Sequence, residues 1–405
     1  MIYLDNAATT YPKPECVYAK MDEFFRHCGA NPGRAAYKTA VEAGREMEQT
    51  RHILAKFFGA KDPNRIIFTF NATDALNIGI KGLLKQGDHV ITTYLEHNSV
   101  SRPLQGLEEK GVIRITRIPP SIPPFDKGGK GGLIDADAIK KAITPRTKLV
   151  VLTHASNVLG VIHPIEEIGR LVREKDLIFM VDAAQSSGVC HIDVERQCID
   201  LLAFTGHKAL FGPPGTGGLY VGERVNLAPF REGGTGVDPE SFSQPEAFPY
   251  RLEGGTPNFV GIAGLRAGIE FVLKEGIDKI RKHEERLATK IVEALEGDER
   301  FSLYGTIPPA PPLLKGGIEG GIEKVGIVSL NVRNLSPSEV GAILDSSFNI
   351  AVRTGLHCAP LAHKSIGTFP DGTVRISPGY FNSDDEIEEA IAALKAIAKQ
   401  VDSRE

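Results

Sequence analysis

Short apolar runs alternate with segments of helical spacing through the middle of the chain. Several runs are apolar at every position, as expected for strands that are covered on both faces. Between them, segments such as Ile139–Ile143 and Ile165–Arg173 keep helical spacing. Strands separated by crossover helices predict an α/β fold with a mostly parallel sheet. The seven predicted strands are Ile66–Phe70, His89–Tyr94, Val112–Ile118, Leu149–His154, Leu177–Asp182, Leu201–Thr205 and Gly218–Val221.

The pattern changes after about residue 262. Helix-like runs there lead to a few strands, Ile327–Val332 and Thr373–Ser377 among them. A final amphipathic helix is predicted to begin at a capping box from Ser383 to Glu386, because these two side chains can satisfy free amides at a helix start. We interpret this part as a smaller α+β domain. The predicted division is an N-terminal segment 1–18 that packs with the small domain, a large α/β domain 19–262 and the small domain 263–405.

Two segments rich in proline and glycine, 119–132 and 308–321, interrupt this pattern. Both run from paired prolines to a Lys-Gly-Gly and then to a second Gly-Gly. Such composition buries little apolar area, so both segments are predicted to be surface loops. Two interpretations are open: a repeated insertion that two surface turns tolerate, or a pair of docking arms.

Length and charge narrow the class of protein. A chain of 405 residues suggests two or three domains, and a net charge of −4 gives no basic footprint for nucleic acid. The start, Met1–Asp5, does not read as a secretion signal, and no apolar run approaches the ~18 residues that span a membrane. Five cysteines form no CxxC pair, which favours a reduced compartment. We therefore expect a cytoplasmic enzyme that binds neither nucleic acid nor membrane, and predict no metal site.

Two residues at predicted strand ends point to a cofactor. Asp182 closes one apolar strand, where α/β sheets bind ligands, and Lys208 follows another. Taken alone, the first could be a helix cap and the second a solvated lysine. Together they meet one demand of pyridoxal 5′-phosphate, which needs a lysine to form an imine and a carboxylate to keep its pyridine nitrogen protonated.

A phosphate site should then be present. The turn at Ala72 and Thr73 lies between a predicted strand and a predicted helix, and a helix start favours an anion. His97 also follows a strand and could stack on a cofactor ring. The alternatives are ordinary helix capping by Asn71 or Thr73 and a core or surface histidine.

A cysteine near the C-terminal end is a candidate nucleophile. Cys358 is flanked by His357 and lies near Arg353, and neighbouring cations would favour its thiolate. Arg375, on a predicted strand, could bind a substrate carboxylate bidentately. The alternatives are a small buried cysteine and a surface ion pair.

The ordered motifs resemble the fold-type I, class V aminotransferase group. Within it, they are similar to cysteine desulfurases of the sulfur-mobilisation type. The resemblance spans nearly the whole chain apart from the two proline- and glycine-rich segments. It rests on Tyr3–Thr10, Val181–Gln185, Thr205–Lys208, Gly254–Asn258 and His357–Pro360.

The resemblance implies a role for each site residue. Lys208 would hold the cofactor as a Schiff base and move the proton at the substrate α-carbon. Asp182 would pair with the pyridine nitrogen, Gln185 would contact the ring oxygen, and His97 would stack on the ring. The phosphate would be held by Ala72, Thr73, Thr205 and His207, with Thr256 reaching it from a neighbouring subunit. The substrate carboxylate would be bound by Asn157 and Arg375, with Arg34 nearby.

The implied reaction converts L-cysteine to L-alanine, and Cys358 in the small domain keeps the sulfur as a persulfide. Thr256 implies a homodimer with shared active sites. The stretch from Gly355 to His363 is short, which implies that Cys358 moves little and that a separate sulfur-acceptor protein is needed. Selenocysteine lyase activity, another class V reaction such as transamination, and a non-catalytic sulfur-relay role are the alternatives. The sequence leaves open whether iron–sulfur cluster assembly, tRNA thiolation or another pathway uses the sulfur.

Overall fold

The structure is a computed structural model that describes residues 1–31, 37–121, 132–305 and 323–402. Arg34 and most of the two proline- and glycine-rich segments lie outside the described residues. The strands are β1 (Ile2–Tyr3), β2 (Ile66–Thr69), β3 (Asp88–Thr93), β4 (Ile113–Ile118), β5 (Thr147–Thr153), β6 (Ile178–Asp182), β7 (Leu201–Thr205), β8 (Gly217–Val221), β9 (Phe301–Tyr304), β10 (Val328–Val332), β11 (Ile350–Ala351), β12 (Arg353–Gly355) and β13 (Thr373–Ile376). The helices are α1 (Glu15–Cys28), α2 (Lys38–Phe57), α3 (Ala72–Leu83), α4 (Asn98–Glu109), α5 (Ala136–Ala142), α6 (Ile165–Glu174), α7 (Phe259–Glu275), α8 (Ile277–Leu295), α9 (Pro337–Phe348), α10 (Pro360–Ser365) and α11 (Asp384–Asp402).

A seven-stranded sheet forms the centre of the larger, N-terminal part of the protein, and its strand order is β2-β8-β7-β6-β5-β3-β4. The pairs from β7 across to β4 are parallel, and β8 runs antiparallel to both of its neighbours. Every residue of β6, β7 and β8 is buried, because helices cover both faces of the sheet. The predicted mostly parallel seven-stranded sheet is confirmed.

The helices that cover this sheet bury one apolar stripe each. In α6, Ile165, Ile168 and Val172 are buried, which is the spacing of one helix face. The acidic residues Glu166 and Glu167 occupy the first turn, where they oppose the partial positive charge of the helix start. Connections of this kind return the chain to the same end of the sheet, so the carboxyl ends of the parallel strands gather at one edge.

The C-terminal part contains an antiparallel sheet in the order β12-β13-β10-β9. Its core includes Leu287 of α8, Leu330 of β10 and Leu394 of α11. The capping box predicted for the last helix is confirmed: the Ser383 amide donates to Glu386 Oε2 (2.9 Å) and the Glu386 amide donates to Ser383 Oγ (3.2 Å). The antiparallel sheet and the helices that pack on it confirm the predicted α+β arrangement of this part.

The N-terminal strand of the chain joins the C-terminal part. Strand β1 pairs in parallel with β11, and Ile2 and Leu4 belong to the apolar core of the smaller sheet. The predicted boundary at residue 262 falls within α7, so no break in secondary structure marks it. The domain limits stay a prediction. Among the described helices, none is long and apolar enough to cross a membrane.

Candidate active site

A cavity of about 270 Å³ lies where the carboxyl ends of β5, β6 and β7 face the first residues of α3 and α4. Strands β12 and β13 of the smaller sheet contribute to its wall. Strand ends at one edge of an α/β sheet are the usual place for a ligand. The predicted site residues that line it are Ala72, Thr73, His97, Asn157, Asp182, Gln185, Thr205, His207, Lys208 and Arg375.

Asp182 and Lys208 reach the cavity from neighbouring strands. Asp182 is the buried last residue of β6, and its Oδ1 accepts the Ala184 amide at 3.0 Å. Burial raises the pKa of this carboxyl, while the Ala184 amide and Lys208 oppose the rise. Lys208 is half-buried beyond β7; burial lowers the pKa of its amine to about 8, against the attraction of Asp182. A buried carboxyl and an amine that releases its proton easily thus face the same space.

Gly206 keeps the loop before Lys208 close to the sheet. A Cβ atom at this position would lie 2.1 Å from Thr216 Oγ1, which is far inside van der Waals contact. The carbonyl group of His207 accepts hydrogen bonds from the Thr10 amide (3.1 Å) and from Lys13 Nζ (2.7 Å). The N-terminal segment therefore fixes the backbone next to Lys208.

The first turn of α3 forms a site suited to an anion. Asn71 caps this helix by accepting the Asp74 amide at 2.9 Å, and Ala72 and Thr73 follow at the cavity. Amides in a first helical turn have no acceptor within the helix, so they favour a bound anion. Thr73 Oγ1 lies 2.7 Å from Ser99 Oγ, which brings a second hydroxyl to this corner.

His97 caps α4 and holds a neutral ring. Its Nδ1 accepts the Ser99 amide at 3.1 Å and lies 2.8 Å from Ser99 Oγ. Since Nδ1 is an acceptor, the ring proton lies on Nε2. Burial, followed by the charge of Lys208, lowers the pKa of His97 to about 4. Ser99 was not predicted as a site residue; its only sequence signal was its place two residues after His97.

Arg375 is buried and is held by two acceptors. Its Nη2 donates to Asp5 Oδ1 at 2.8 Å, and its Nη1 donates to the Asn157 carbonyl oxygen at 3.1 Å. Its Nε is buried without a hydrogen-bond partner. The guanidinium has five N–H donors, so a second N–H on each Nη remains for a ligand at the cavity wall. The Asn157 amide group donates to the His357 carbonyl oxygen at 2.7 Å. This residue, which is predicted to bind the substrate, therefore also contacts the backbone next to Cys358.

Cys358 lies directly beside the lining residues His357 and Arg353, with its Sγ 4.0 Å from Arg353 Nη2. His357 and Cys358 both have left-handed backbone conformations, with φ of 47° and 57°. His357 is buried and its Nε2 lies 3.1 Å from the Thr373 carbonyl oxygen. Burial, followed by the charge of Arg375, lowers the pKa of His357 to about 2. The prediction that His357 supplies positive charge to the thiolate is therefore wrong.

Thr256 lies outside the cavity that Lys208 lines. It is exposed in a separate cleft of about 610 Å³, whose walls include Phe70, Arg231 and Tyr250. Within a single chain it therefore does not join the other predicted cofactor residues. Arg34 lies outside the described residues. Among the residues that the structure describes, no group of three His, Cys, Asp or Glu side chains could hold a metal ion.

The fold and the cavity define an α/β enzyme that carries a lysine and a carboxylate at adjacent strand ends. The family model for class-V aminotransferases matches residues 2–390, so the chain belongs to this family. Its members depend on pyridoxal 5′-phosphate, which confirms the predicted cofactor at the level of the family.

Curated relatives and solved structures agree on a narrower group. The chain is 38% identical to a probable cysteine desulfurase of Pyrococcus abyssi, over 100% of this chain and 96% of that protein. It is 32% identical to a cysteine desulfurase of Serratia proteamaculans, over 98% and 94%. The apo cysteine desulfurase of Thermococcus onnurineus NA1 is 36% identical with a TM-score of 0.85, covering 98% of this chain and 95% of that one. The predicted fold type and family are confirmed.

Proposed function

We propose that this protein is a pyridoxal-phosphate-dependent cysteine desulfurase, which converts L-cysteine to L-alanine and passes the sulfur to Cys358 as a persulfide. The observation that carries the proposal is the meeting of Lys208 and Asp182 at one cavity, with Cys358 beside its wall. The full-length similarity to cysteine desulfurases supports the same reaction.

The side chains around the cavity fit the predicted cofactor. Asp182 is a buried carboxyl with one oxygen bonded to an amide, so it suits a protonated ring nitrogen. Lys208 supplies the amine that binds the aldehyde carbon. The first turn of α3, with Thr73, Thr205 and His207, provides amides, hydroxyls and an imidazole for the phosphate. The neutral face of His97 remains for the ring, as does the side-chain oxygen of Gln185, whose Nε2 donates to the Ala7 carbonyl oxygen at 2.9 Å.

Bound at this site, pyridoxal phosphate supplies an electron sink for the carbon atoms of the substrate. Arg375 binds the substrate carboxylate, with the Asn157 amide group nearby, and so fixes the α-carbon. The amine of Lys208 removes the proton from that carbon; its lowered pKa lets it act as a base near neutral pH. Cys358 attacks the substrate sulfur as a thiolate and keeps it.

We further propose that the active protein is a homodimer in which Thr256 reaches the phosphate site of the other subunit. Its exposure, and its distance from the Lys208 cavity within one chain, support a role between subunits. A separate sulfur-acceptor protein is proposed because the turn at Cys358 is short and hydrogen bonds hold the carbonyl groups of both His357 and Cys358. Five free cysteines support a cytoplasmic location.

The test is to incubate the purified, cofactor-loaded protein with L-cysteine and a reductant, and to measure alanine and sulfide. Equal amounts of both products are expected from the wild type. Cys358→Ala should lower them by a factor on the order of 100 or more, because the thiolate that accepts sulfur is lost. Cys16→Ala removes an exposed thiol of α1 and serves as the matched control.

Two results would contradict the proposal. Alanine formation that survives in Cys358→Ala would remove the assigned role of the cysteine; selenide release from selenocysteine by that variant would then favour a selenocysteine lyase. A wild type that gives no alanine, but whose cofactor is regenerated by a keto acid, would indicate transamination.

A further inference from the structure

Two arginines face each other across the strands that border the cavity. Arg353 of β12 and Arg375 of β13 are direct partners in the antiparallel register, and both line the cavity. Like charges directly opposite each other on neighbouring strands are unfavourable. An anion close to such a pair offsets part of this repulsion.

Within the described part of the chain, only one of the two arginines has a carboxylate partner. Arg375 pairs with Asp5 at 2.8 Å, whereas no described carboxylate forms an ion pair with Arg353. The hydrogen bond that the Arg353 guanidinium makes runs to Cys358 Sγ, at 4.0 Å. The positive charge of Arg353 therefore faces the sulfur atom and the cavity.

The neighbouring histidine does not supply this charge. Nε2 of His357 lies 3.1 Å from a carbonyl oxygen of Thr373, which can only accept, so Nε2 carries the ring proton. Its Nδ1 is buried without a partner. A buried imidazole in this arrangement stays neutral, which leaves Arg353 as the cation in contact with Cys358.

The backbone holds the sulfur in this place. The Asn98 amide, at the start of α4, donates to the Cys358 carbonyl oxygen at 2.7 Å. The Asn157 side chain donates to the His357 carbonyl oxygen at 2.7 Å. Both carbonyls of the left-handed turn are therefore bonded to the part of the protein that carries Lys208.

We propose that Arg353 is a catalytic residue of sulfur transfer, whose guanidinium binds the negative charge on sulfur before and after the transfer. This inference rests on the proposed desulfurase function. It adds a role for a residue that the resemblance did not assign.

The balance of the step explains why a permanent cation suits it. A bond forms between Cys358 Sγ and the substrate sulfur, and the bond between that sulfur and the substrate Cβ breaks. The electron pair of the broken bond stays on Cβ, which binds one proton. The substrate thiol loses one proton, so the step neither gains nor loses protons overall. One negative charge is present throughout: it lies on Sγ at the start and on the terminal persulfide sulfur at the end. A guanidinium next to Cys358 stabilises both anions.

The test compares Arg353→Met, which keeps length without charge, with Arg353→Lys, which keeps the charge. Arg333→Met removes an exposed arginine elsewhere and is the matched control. In the cofactor-loaded protein, Arg353→Met should slow alanine and persulfide formation at saturating L-cysteine by about 100-fold, the scale of losing one anion-binding donor. Arg353→Lys should keep much of the wild-type rate.

A second measurement reports the charge at Cys358 without turnover. Iodoacetate is an anion and iodoacetamide is neutral, so the ratio of their alkylation rates at the Cys358 peptide, read by mass spectrometry, reports local charge. Arg353→Met should lower this ratio by about threefold or more, and Arg333→Met should not change it.

Three outcomes overturn the proposal. These are wild-type rates of alanine and persulfide formation in Arg353→Met, a slower rate in that variant with an unchanged alkylation ratio, and a rate in Arg353→Lys as low as that in Arg353→Met. The last two would indicate a structural role. Failure of the desulfurase function is distinguishable, because the wild type itself would then give no alanine, and this inference would fail with it.

Discussion

Burial keeps the histidines around the cavity neutral and lowers the pKa of Lys208. It lowers the pKa of His97 and of His207 to about 4 and that of His357 to about 2. The three imidazoles are therefore neutral at pH 7 and serve as hydrogen-bonding or stacking groups. Burial also lowers the pKa of Lys208 to about 8, so this amine exchanges its proton close to physiological pH. The fixed positive charges at the cavity are left to the two arginines.

Glu96 is a buried carboxyl next to the cavity. Glu96 is fully buried between the ends of β3 and β5, where its Oε1 accepts Thr93 Oγ1 at 2.6 Å and the Thr153 amide at 3.2 Å. Its Oε2 has no hydrogen-bond partner. Burial raises the pKa of Glu96 from 4.5 to about 8, and the nearby Asp182 adds to the rise.

Replacing this carboxyl should change how stability depends on pH. The folded protein keeps a proton on Glu96 that the unfolded chain releases above about pH 4.5, so burial of this group makes the free energy of unfolding fall as pH rises from about 5 to 8. Glu96→Gln removes this titration. Its free energy of unfolding should therefore rise relative to wild type by roughly 1 kcal/mol per pH unit across that window.

Urea unfolding at about pH 5.5, 7 and 8.5 measures the difference in the free energy of unfolding between Glu96→Gln and the wild type. The exposed Glu293→Gln is the matched control and should follow the wild type at each pH. A Glu96→Gln curve parallel to the wild type would show that Glu96 is ionised in the folded protein.

At the scale of elements, helix α4 connects the predicted ring-stacking histidine to the turn at Cys358, which is proposed to accept sulfur. His97 is its N-cap, and the next residue, Asn98, donates its amide to the Cys358 carbonyl oxygen at 2.7 Å. A left-handed conformation at a residue other than glycine costs about 1–2 kcal/mol, so such a turn needs support from its surroundings. The start of α4 provides part of that support.

Asn98→Pro should remove this support alone. Proline is well tolerated at the first helical position, and His97 already has the extended conformation that precedes proline, with φ −64° and ψ 154°. The loss of one hydrogen bond to the turn should slow persulfide formation by about three- to tenfold, while the visible absorbance of the lysine-bound cofactor is kept. Single-turnover measurement of persulfide by mass spectrometry checks this.

Asn98→Ala keeps the amide and should behave as the wild type. Equal rates in the proline and alanine variants would contradict a role for the amide. A proline variant that no longer binds the cofactor would show that the helix start itself had been disturbed.

Fully buried strands are the elements that the sequence predicts best. The strands of the large sheet carry continuous apolar runs, and all seven were predicted. Strands β9 and β12 were not, because they are only four and three residues long and are partly exposed. The site residues at strand ends follow from chain order, whereas the pairing of Arg353 with Arg375 depends on a register between distant strands. The neutrality of His357 depends on burial, which the sequence does not display.

At the scale of the whole molecule, residues from three regions of the chain meet at one cavity. The large sheet supplies Asp182 and Lys208, the smaller sheet supplies Arg353 and Arg375, and the N-terminal segment supplies Ala7. Thr256 is the exception, since it lies in a separate cleft. The proposed dimer would bring it to the phosphate site of the other subunit.

Mixed dimers test this arrangement. Lys208→Ala removes the cofactor lysine, and Thr256→Glu places a carboxylate where the partner's phosphate is proposed to bind, so each variant alone should be inactive. When the two are co-expressed with different tags and pair at random, about a quarter of the sites combine an intact Lys208 with an intact Thr256. Alanine formation should return to about that fraction of the wild-type value. No recovery in isolated mixed dimers, or full activity of Thr256→Glu alone, would contradict shared sites.

The ion pair between Asp5 and Arg375 joins residues that are 370 positions apart in the chain. During synthesis on the ribosome, Asp182 and Lys208 emerge well before Arg353, Cys358 and Arg375. A nascent chain can therefore contain the proposed cofactor lysine while it still lacks the groups that are proposed to orient an amino acid and accept its sulfur. The proposed site is therefore complete only in polypeptides whose translation has passed residue 375.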